Sequence, residues 1–562
     1  MSSPTLPDLL RQLSLLAEIR GTPDANDLRT AVAVLDSLSP RELGRIEQLA
    51  RADRPLAVRG LPAAAVWRIR EVSAGGVDAA FAAARIGIPR LLRRLLELGA
   101  VTYDQAAALV REAGVVTLGD LEFALDENRL ARFPGSVTSR LASACTALAL
   151  ETSLVHLGRA WELTTAVAAT LRQHCPGVSA AVPAGDTRRF EPLASSLAVV
   201  ARAANPPLAI DTLCTAPGIE DVLHRSGRRA IVVVQQTEID VRIAADDEYG
   251  SVLFAATGSR AHVSAVRRRR RWPELCAREE DVYAQVGFPF IPPELRAGGA
   301  ELDAAGTGRL PALVERTDIR GDLHMHSTYS DGQDPVERMI EAAIALGYDY
   351  VAITDHSESA MASRTVSLDQ LARQRDEIER LRQAYPAIEI LHGIEVDILP
   401  DGRLDFADAI LERLDIVLAS LHDPARHDGS ALTRRCLQAI RHPLVNVITH
   451  PANRLVGRRG DYPLDYDAIY EAAAATGTAL EIDGAPSHLD LDGDRAKAAV
   501  AAGVTVTIDS DCHRAAALDR QMQFGVGTAR RGWVEARHVL NCRPIGDVRA
   551  FIEAKRRRKG AC

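Results

Sequence analysis

Lysine is almost absent from this 562-residue sequence, because only three of its 67 basic residues are lysines. Long apolar runs are absent too, and no stretch approaches the ~18 residues that a membrane-spanning helix needs. Charged residues such as Asp8 and Arg11 interrupt the N-terminal apolar positions, which argues against a signal peptide. Eight cysteines without a CxxC pair favour neither a zinc ribbon nor a disulfide framework. We therefore expect a reduced, cytoplasmic protein, able to associate with the nucleoid, that does not bind membranes.

Acidic residues and histidines are concentrated in the C-terminal part of the chain. Residues 1–314 hold 36 arginines and 36 acidic residues, so the whole net charge of −8 lies in residues 315–562. Eleven of the 15 histidines lie there as well. Imidazole and carboxylate groups are ligands that Mn, Zn and Fe accept. The composition therefore favours a metal site in the C-terminal part.

The secondary structure that the sequence pattern predicts changes along the chain. Residues 1–150 show helical spacing of apolar residues, whereas strand-like runs alternate with helical patterns over residues 151–255. The glycine-rich stretch 297–310 is typical of a linker. From about residue 317 onward, short apolar runs alternate regularly with helical patterns, which predicts a parallel α/β barrel.

Each predicted C-terminal strand is followed by an acidic residue or a histidine. In an α/β barrel these strand ends meet at one face, where active sites form. Two pairs, His324 with His326 and Asp511 with His513, are two residues apart, so both members of each pair point to the same side. The pattern predicts a site for two or three metal ions built from nine side chains: His324, His326, Asp331, His356, Glu395, His422, His450, Asp511 and His513.

The segments DLHMHSTYSDG, AITDHSE, GIEVDIL, THPANRLVGRRG and DSDCH resemble the motifs of the PHP (polymerase and histidinol phosphatase) domain, in order and spacing. The resemblance implies a distorted seven-stranded βα barrel that holds three metal ions and hydrolyses phosphoesters. It also implies that all nine residues above are ligands and that Glu395 bridges two metals. We expect Glu395, Asp331 and Arg454 to act in the reaction, with Arg454, or else Arg458 and Arg459, holding a phosphate oxygen. Mn²⁺ is the expected metal, with Zn²⁺ or Fe²⁺ as alternatives.

The segments EEDVYAQVGFPFIPPELR, DIRGDLHMHS and QFGVGTARRGWVEARHVLN resemble bacterial family X DNA polymerases, which carry a C-terminal PHP domain. The resemblance implies five regions along the chain. These are a helical lyase-like domain (1–85), degenerate helix–hairpin–helix fingers (86–150), a nucleotidyltransferase-like palm (151–255), a thumb with a linker (256–310) and the PHP domain (317–562).

The palm motif departs from the family pattern. Gly185, Arg188 and Arg189 match its nucleotide-phosphate-binding segment, but Ser196 and Ala198 stand where the family has two aspartates. The family has a third catalytic carboxylate in the palm, and this one is retained as Asp240. Nucleotidyl transfer needs several carboxylates to bind two Mg²⁺ ions. We therefore expect a polymerase core that has lost its activity.

Other functions implied by the resemblance are missing from the N-terminal half. A deoxyribose phosphate lyase uses a lysine amine for its Schiff base, and no lysine precedes Lys497. The hairpins of the fingers keep at most one suitable glycine each. Any remaining DNA contact is expected from basic runs such as 267–271 and 555–559.

The leading hypothesis is a metal-dependent 3'-5' exonuclease in DNA repair, with 3'-phosphatase or abasic-site cleavage as further reactions. Its partner is expected to be DNA, at 3' ends or in gapped duplex, bound by a monomer. The alternatives are a phosphatase for small molecules similar to histidinol phosphate, an active gap-filling polymerase, and a scaffold that binds DNA without cutting it.

Overall fold

The computed structural model describes residues 5–75, 77–151, 153–269, 275–360, 364–422 and 428–557. The chain divides into two compact units. The first comprises residues 1–155, 159–187 and 195–290, and the second comprises residues 156–158, 188–194 and 291–562. None of the helices in the described ranges is long and apolar enough to cross a membrane.

The N-terminal part of the first unit is helical, as the apolar spacing predicts. Thr5, Ser39, Thr102 and Thr117 each accept a hydrogen bond from the third residue of the helix that follows, and so define where four of the helices begin. The helices are α1 (Leu6–Arg20), α2 (Asp24–Asp36), α3 (Pro40–Arg51), α4 (Ala63–Gly75), α5 (Val77–Ile86), α6 (Arg90–Glu97), α7 (Tyr103–Ala113), α8 (Leu118–Asp126) and α9 (Gly135–Glu151).

The predicted palm region contains a five-stranded mixed sheet. Its strands lie in the order β2-β4-β7-β6-β5, with β4 and β7 parallel. The elements are β1 (Val155–His156), α10 (Leu157–His174), β2 (Val178–Ala184), α11 (Gly185–Arg188), β3 (Leu193–Ala194), β4 (Leu197–Ala203), α12 (Pro206–Leu213), β5 (Asp221–Arg225), β6 (Arg229–Val234) and β7 (Thr237–Ala244).

The expected linker, residues 297–310, contains a helix. The carboxylate of Glu301 accepts hydrogen bonds from the backbone N–H groups of Gly298 and Gly299, at 2.6 and 2.7 Å, and this satisfies two donors at the start of the helix. The elements between the palm sheet and the barrel are α13 (Tyr249–Thr257), α14 (Arg260–Arg269), α15 (Glu279–Gln285) and α16 (Ala300–Gly306).

Seven parallel strands form the C-terminal sheet, in sequential order from β8 to β14. Met325 and Cys512, which follow the first and last strands, also pair in parallel, so the sheet is a nearly closed barrel. The elements are β8 (Gly321–Asp322), α17 (Val336–Ala345), β9 (Tyr350–Ile353), α18 (Leu368–Ala384), β10 (Glu389–Asp397), α19 (Asp408–Leu411), β11 (Ile416–Ser420), α20 (Gly429–Arg441), β12 (Val447–Thr449), α21 (Tyr466–Thr476), β13 (Ala479–Asp483), α22 (Gly493–Ala501), β14 (Val506–Asp509), α23 (Leu518–Arg531) and α24 (Ile545–Arg557).

The basic runs expected to contact DNA are partly enclosed. Lys555 is 3% exposed, and its amine donates hydrogen bonds to the carbonyl of Ile440 and to the hydroxyl of Thr478. The guanidinium of Arg267 lies over the ring of Phe123. Residues 270, 271, 558 and 559 lie outside the described residues.

Candidate functional site

The nine predicted ligands converge where the barrel strands end. The side chains of His324 and His326 point the same way, while Met325 between them packs into the core outside the barrel. His356 pairs with Glu395 as a bridge between neighbouring strand ends. All nine belong to three groups whose donor atoms lie within 4.8 Å of one another: His326, Asp331, His356 and His513; His324, His326 and Asp511; and Glu395, His422 and His450.

Glu395 faces all three groups. Its Oε1 lies 3.0 Å from Nε2 of His450, and its Oε2 lies 2.6 Å from Nδ1 of His356. The same Oε2 lies 3.6 Å from Nε2 of His324 and 3.7 Å from Nε2 of His326. The side chain is fully buried. A carboxylate at this position can ligate ions in more than one group.

The donor set fits divalent metals. Nε2 of His324 and Nε2 of His326 lie 3.1 Å apart, and Oδ1 of Asp511 lies 3.0 Å from Nε2 of His326. In the neighbouring group, Oδ1 of Asp331 lies 3.2 Å from Nε2 of His513. Nitrogen and oxygen atoms at these separations match the preferences of Mn, Zn and Fe.

The carboxylates of the site are ionised at neutral pH. Burial raises the pKa of Glu395, but the nearby His356 and His324 outweigh it and hold the pKa well below the usual range. Burial likewise raises the pKa of Asp331, while the hydrogen bond from His513 and the charge of His356 lower it to about 2. Burial lowers the pKa of His326 to about 3, so this imidazole is neutral and can ligate a metal.

Sequence reasoning missed three acidic residues that hold the predicted ligands. Glu481 accepts a hydrogen bond from Nδ1 of His324 at 2.6 Å, and Asp397 accepts one from Nδ1 of His422 at 2.7 Å. Asp355 accepts hydrogen bonds from the backbone N–H groups of residues 327 and 330, next to Asp331. All three lie on a barrel strand or directly after one, which was the signal that could have indicated them.

Arg454 contacts a neighbouring loop. Its Nε and Nη2 donate to the backbone carbonyls of His488 and Leu489, at 2.8 and 2.6 Å, and Nη1 lies 3.5 Å from Asp492. The ring of His488 stacks on the ring of His450 with 5.5 Å between centroids. The pattern of strand ends does not predict that His488 lies beside the ligands, and the oxygen-holding role of Arg454 stays a prediction.

The three residues at the carboxylate positions of the predicted palm site lie in environments that differ from one another. Ala198 packs in an apolar cluster with Ala184, Val200 and Leu253. Ser196, between β3 and β4, is exposed. Asp240 lies on β7 as the register partner of Ala198 on β4.

Two arginines neutralise the carboxylate of Asp240. Arg229 and Arg242 each donate two hydrogen bonds to it, between 2.8 and 3.0 Å, and both guanidinium groups also contact Asp120. Burial raises the pKa of Asp240, but the two arginines outweigh it and lower the pKa overall. The charge of Asp240 is therefore balanced by protein groups.

The predicted nucleotide-phosphate segment is divided between the two units. Gly185 lies in the first unit and adopts a positive φ of 60° at the start of α11. Arg188 and Arg189 belong to the second unit, where the carbonyl of Arg189 accepts a hydrogen bond from Arg531. Glu191 pairs with Arg531 at 2.7 Å.

The chain is similar to known proteins along almost its whole length. The sequence matches the PHP domain family over residues 322–457. It is 30% identical to the DNA polymerase/3'-5' exonuclease PolX of Bacillus subtilis (strain 168), over 97% of this chain and 98% of that protein. A protein of Thermoanaerobacter sp. (strain X514) named "Probable phosphatase" is 28% identical over 42% of this chain and 96% of its own length.

Among solved structures, the histidinol phosphate phosphatase of Lactococcus lactis matches 39% of this chain and 95% of its own, with 20% identity and a TM-score of 0.31. With its PHP domain and its exonuclease and phosphatase relatives, the chain is a metal-dependent phosphoesterase. The similarity to PolX covers nearly the full length of both proteins, and the chain therefore belongs to the bacterial family X DNA polymerases that carry a C-terminal PHP domain.

Proposed function

We propose that this protein is a metal-dependent 3'-5' exonuclease that acts on DNA in repair. The observation that carries the proposal is the convergence of nine nitrogen and oxygen ligands in three groups around the buried Glu395. The relative that spans almost the whole chain is named as a 3'-5' exonuclease, which supports DNA as the substrate.

In this proposal the nine converging residues hold two or three divalent ions, with Mn²⁺ as the expected metal. Such ions supply Lewis acidity and charge neutralisation for phosphoester hydrolysis. Glu395 places its two oxygens toward different groups of ligands, and Asp331 supplies an ionised carboxylate beside His513. The aliphatic residues packed around the strands keep these donors in fixed positions.

We also propose that the polymerase core is inactive. A carboxylate is missing at Ala198, whose side chain packs with Ala184, Val200 and Leu253. Asp240 is engaged by Arg229 and Arg242, whose positive charges oppose binding of Mg²⁺ at the same oxygens. In this proposal the first unit contributes affinity for DNA with 3' ends or gapped duplex, and the protein acts as a monomer.

A phosphatase acting on small molecules is the second candidate. It is favoured by the relatives named as phosphatases, one of which is covered over 96% of its length by 42% of this chain. The same ligands serve both reactions, so substrate tests are needed to separate them. Efficient hydrolysis of an amino-alcohol phosphate, without shortening of DNA, would favour the phosphatase.

The test uses a primer labelled at its 5' end, incubated with the full-length protein and Mn²⁺. We expect stepwise shortening from the 3' end by the wild type and none by His324→Ala. His174→Ala is the matched control, because His174 is exposed and lies in the first unit. Absence of shortening by the wild type, or unchanged shortening by His324→Ala, contradicts the proposal.

A further inference from the structure

Glu481 contacts two predicted ligands that belong to different groups. It lies on β13 and is fully buried. One oxygen accepts a hydrogen bond from Nδ1 of His324 at 2.6 Å, and the other accepts the backbone N–H of His450 at 2.7 Å. His324 is in the group with His326 and Asp511, whereas His450 is in the group with Glu395 and His422.

The strand pattern explains why this carboxylate points toward the ligands. Successive side chains of a strand face opposite sides, and on β13 Leu480 and Ile482 pack into the core outside the barrel. Ala479 packs with the residues that fill the barrel interior. Glu481 has the same parity as Ala479 and therefore faces inward, at the end where the ligands converge.

The contact with His324 fixes which ring nitrogen is available to a metal. A carboxylate oxygen accepts hydrogen bonds, so the 2.6 Å contact places a proton of His324 on Nδ1. Nε2 is then the nitrogen that would ligate a metal in the group formed with His326 and Asp511. Asp511 lies 3.6 Å from this Nε2, on the side where the other donors lie.

The hydrogen bond from the N–H of His450 to Glu481 stabilises an unfavourable backbone conformation of His450. His450 has a positive φ of 26°, which residues other than glycine rarely adopt. Its N–H donates to Glu481, while its Nε2 lies 3.0 Å from Oε1 of Glu395. A partner for the N–H at this point keeps the imidazole directed at Glu395.

We propose that Glu481 is a positioning residue that builds two of the three ligand groups at once, through the ring of His324 and the backbone of His450. This inference rests on the metal-dependent function proposed above. Asp397 provides the matched comparison, because its carboxylate contacts only His422 among the nine ligands, through Nδ1 at 2.7 Å.

The substitution Glu481→Gln keeps the size of the side chain but leaves it one acceptor oxygen. In either orientation of the amide, an NH₂ group faces His324 or His450. An NH₂ group facing Nδ1 of His324 favours the tautomer that carries its proton on Nε2, which blocks that ligand. An NH₂ group facing His450 leaves its backbone N–H without an acceptor.

The experiment measures metal binding by the full-length protein without substrate. Wild type, Glu481→Gln and Asp397→Asn are freed of metal and titrated with Mn²⁺, and free Mn²⁺ is counted by electron paramagnetic resonance. We expect Glu481→Gln to weaken Mn²⁺ binding about 10- to 100-fold in the group that its NH₂ faces, whereas Glu481→Ala, titrated in the same way, lacks both acceptors and should weaken both groups. Asp397→Asn should weaken Mn²⁺ binding only in the group that contains His422. Thermal unfolding in chelator should be similar for wild type, Glu481→Gln and Asp397→Asn, which separates positioning from a merely structural role.

Equal number and affinity of Mn²⁺ ions in wild type and Glu481→Gln overturns the inference while leaving the proposed function intact. A wild type that binds no Mn²⁺ overturns both. If Glu481→Gln does not fold, Glu481→Asp is titrated instead. Its shortened carboxylate keeps the charge but cannot reach both donors, and unchanged Mn²⁺ binding by that variant also overturns the inference.

Discussion

Ala198 and Asp240 are register partners on the adjacent parallel strands β4 and β7. The methyl group of one packs among aliphatic side chains, while the carboxylate of the other is held by two arginines. Restoring a carboxylate at Ala198 would therefore place it among apolar groups, beside an acid whose charge is already balanced. This arrangement leads to predictions about the palm that do not involve the barrel.

The double substitution Ser196→Asp/Ala198→Asp should not produce a polymerase. Neither this variant nor the wild type should add a nucleotide to a single-nucleotide gap in the presence of Mg²⁺ or Mn²⁺. The unfolding free energy of the first unit should fall by about 3 kcal/mol, since a carboxylate would be buried among apolar side chains at Ala198. A gel assay with the Bacillus subtilis relative as positive control provides the check. Templated addition by the wild type contradicts the inactive core, and addition by the variant contradicts the prediction that two carboxylates do not restore it.

Asp240→Asn should destabilise the first unit without changing nuclease activity. The substitution leaves Arg229 and Arg242 with less negative charge, and breaking a buried ion pair costs about 3 kcal/mol. Asp247→Asn, at an exposed position, is the control and should be neutral. Urea unfolding measures the difference, and equal stability of the two variants would show that the network is unimportant.

Mn²⁺ should raise the unfolding temperature of the second unit, because ions bound only by the folded barrel stabilise it by about 2.7 kcal/mol at 100 times their Kd. Glu395→Gln should remove most of this increase and abolish primer shortening. Glu389→Gln is the matched control, since Glu389 lies on the same strand, is exposed and pairs with Arg549. Calorimetry with and without chelator measures the effect, and an undiminished Mn²⁺ shift in Glu395→Gln contradicts the ligand assignment.

The barrel and the convergence of its ligands were predictable because both depend on local pattern: apolar strands that end in histidine or acid. The residues that position the ligands could not be predicted in this way. Glu481 and Asp397 also lie near strand ends, but nothing local distinguishes an acid that binds metal from one that binds an imidazole. The pairing of Arg229 with both Asp240 and Asp120 depends on how the strands pack against a distant helix, which sequence spacing does not give.

His392 should make the protein less stable in acid. It is 3% exposed, and burial together with the charges of Arg375 and Arg382 lowers its pKa to about 4. In the unfolded chain its pKa is about 6.5, so unfolding takes up a proton as the pH falls from 6.5 to 4. The unfolding free energy should therefore lose about 3 kcal/mol over this range through His392 alone.

The substitution His392→Gln isolates this contribution, because glutamine does not titrate and its amide can still donate to Gln374. Urea unfolding in chelator, from pH 8 to pH 4, should give a flatter curve for the variant than for the wild type. His174→Gln, at an exposed position, should follow the wild type. Parallel curves for wild type and His392→Gln contradict the prediction.

Arg454→Ala separates two roles for this arginine. Its guanidinium donates to the carbonyls of His488 and Leu489, so we expect the loss to loosen that loop and lower the unfolding free energy by about 1–3 kcal/mol. If Arg454 also holds a phosphate oxygen, KM for the primer should rise at least tenfold. Arg441→Ala, at an exposed position of the second unit, is the control. Lower stability with unchanged KM would assign Arg454 to the loop alone, whereas a raised KM at unchanged stability would assign it to the substrate.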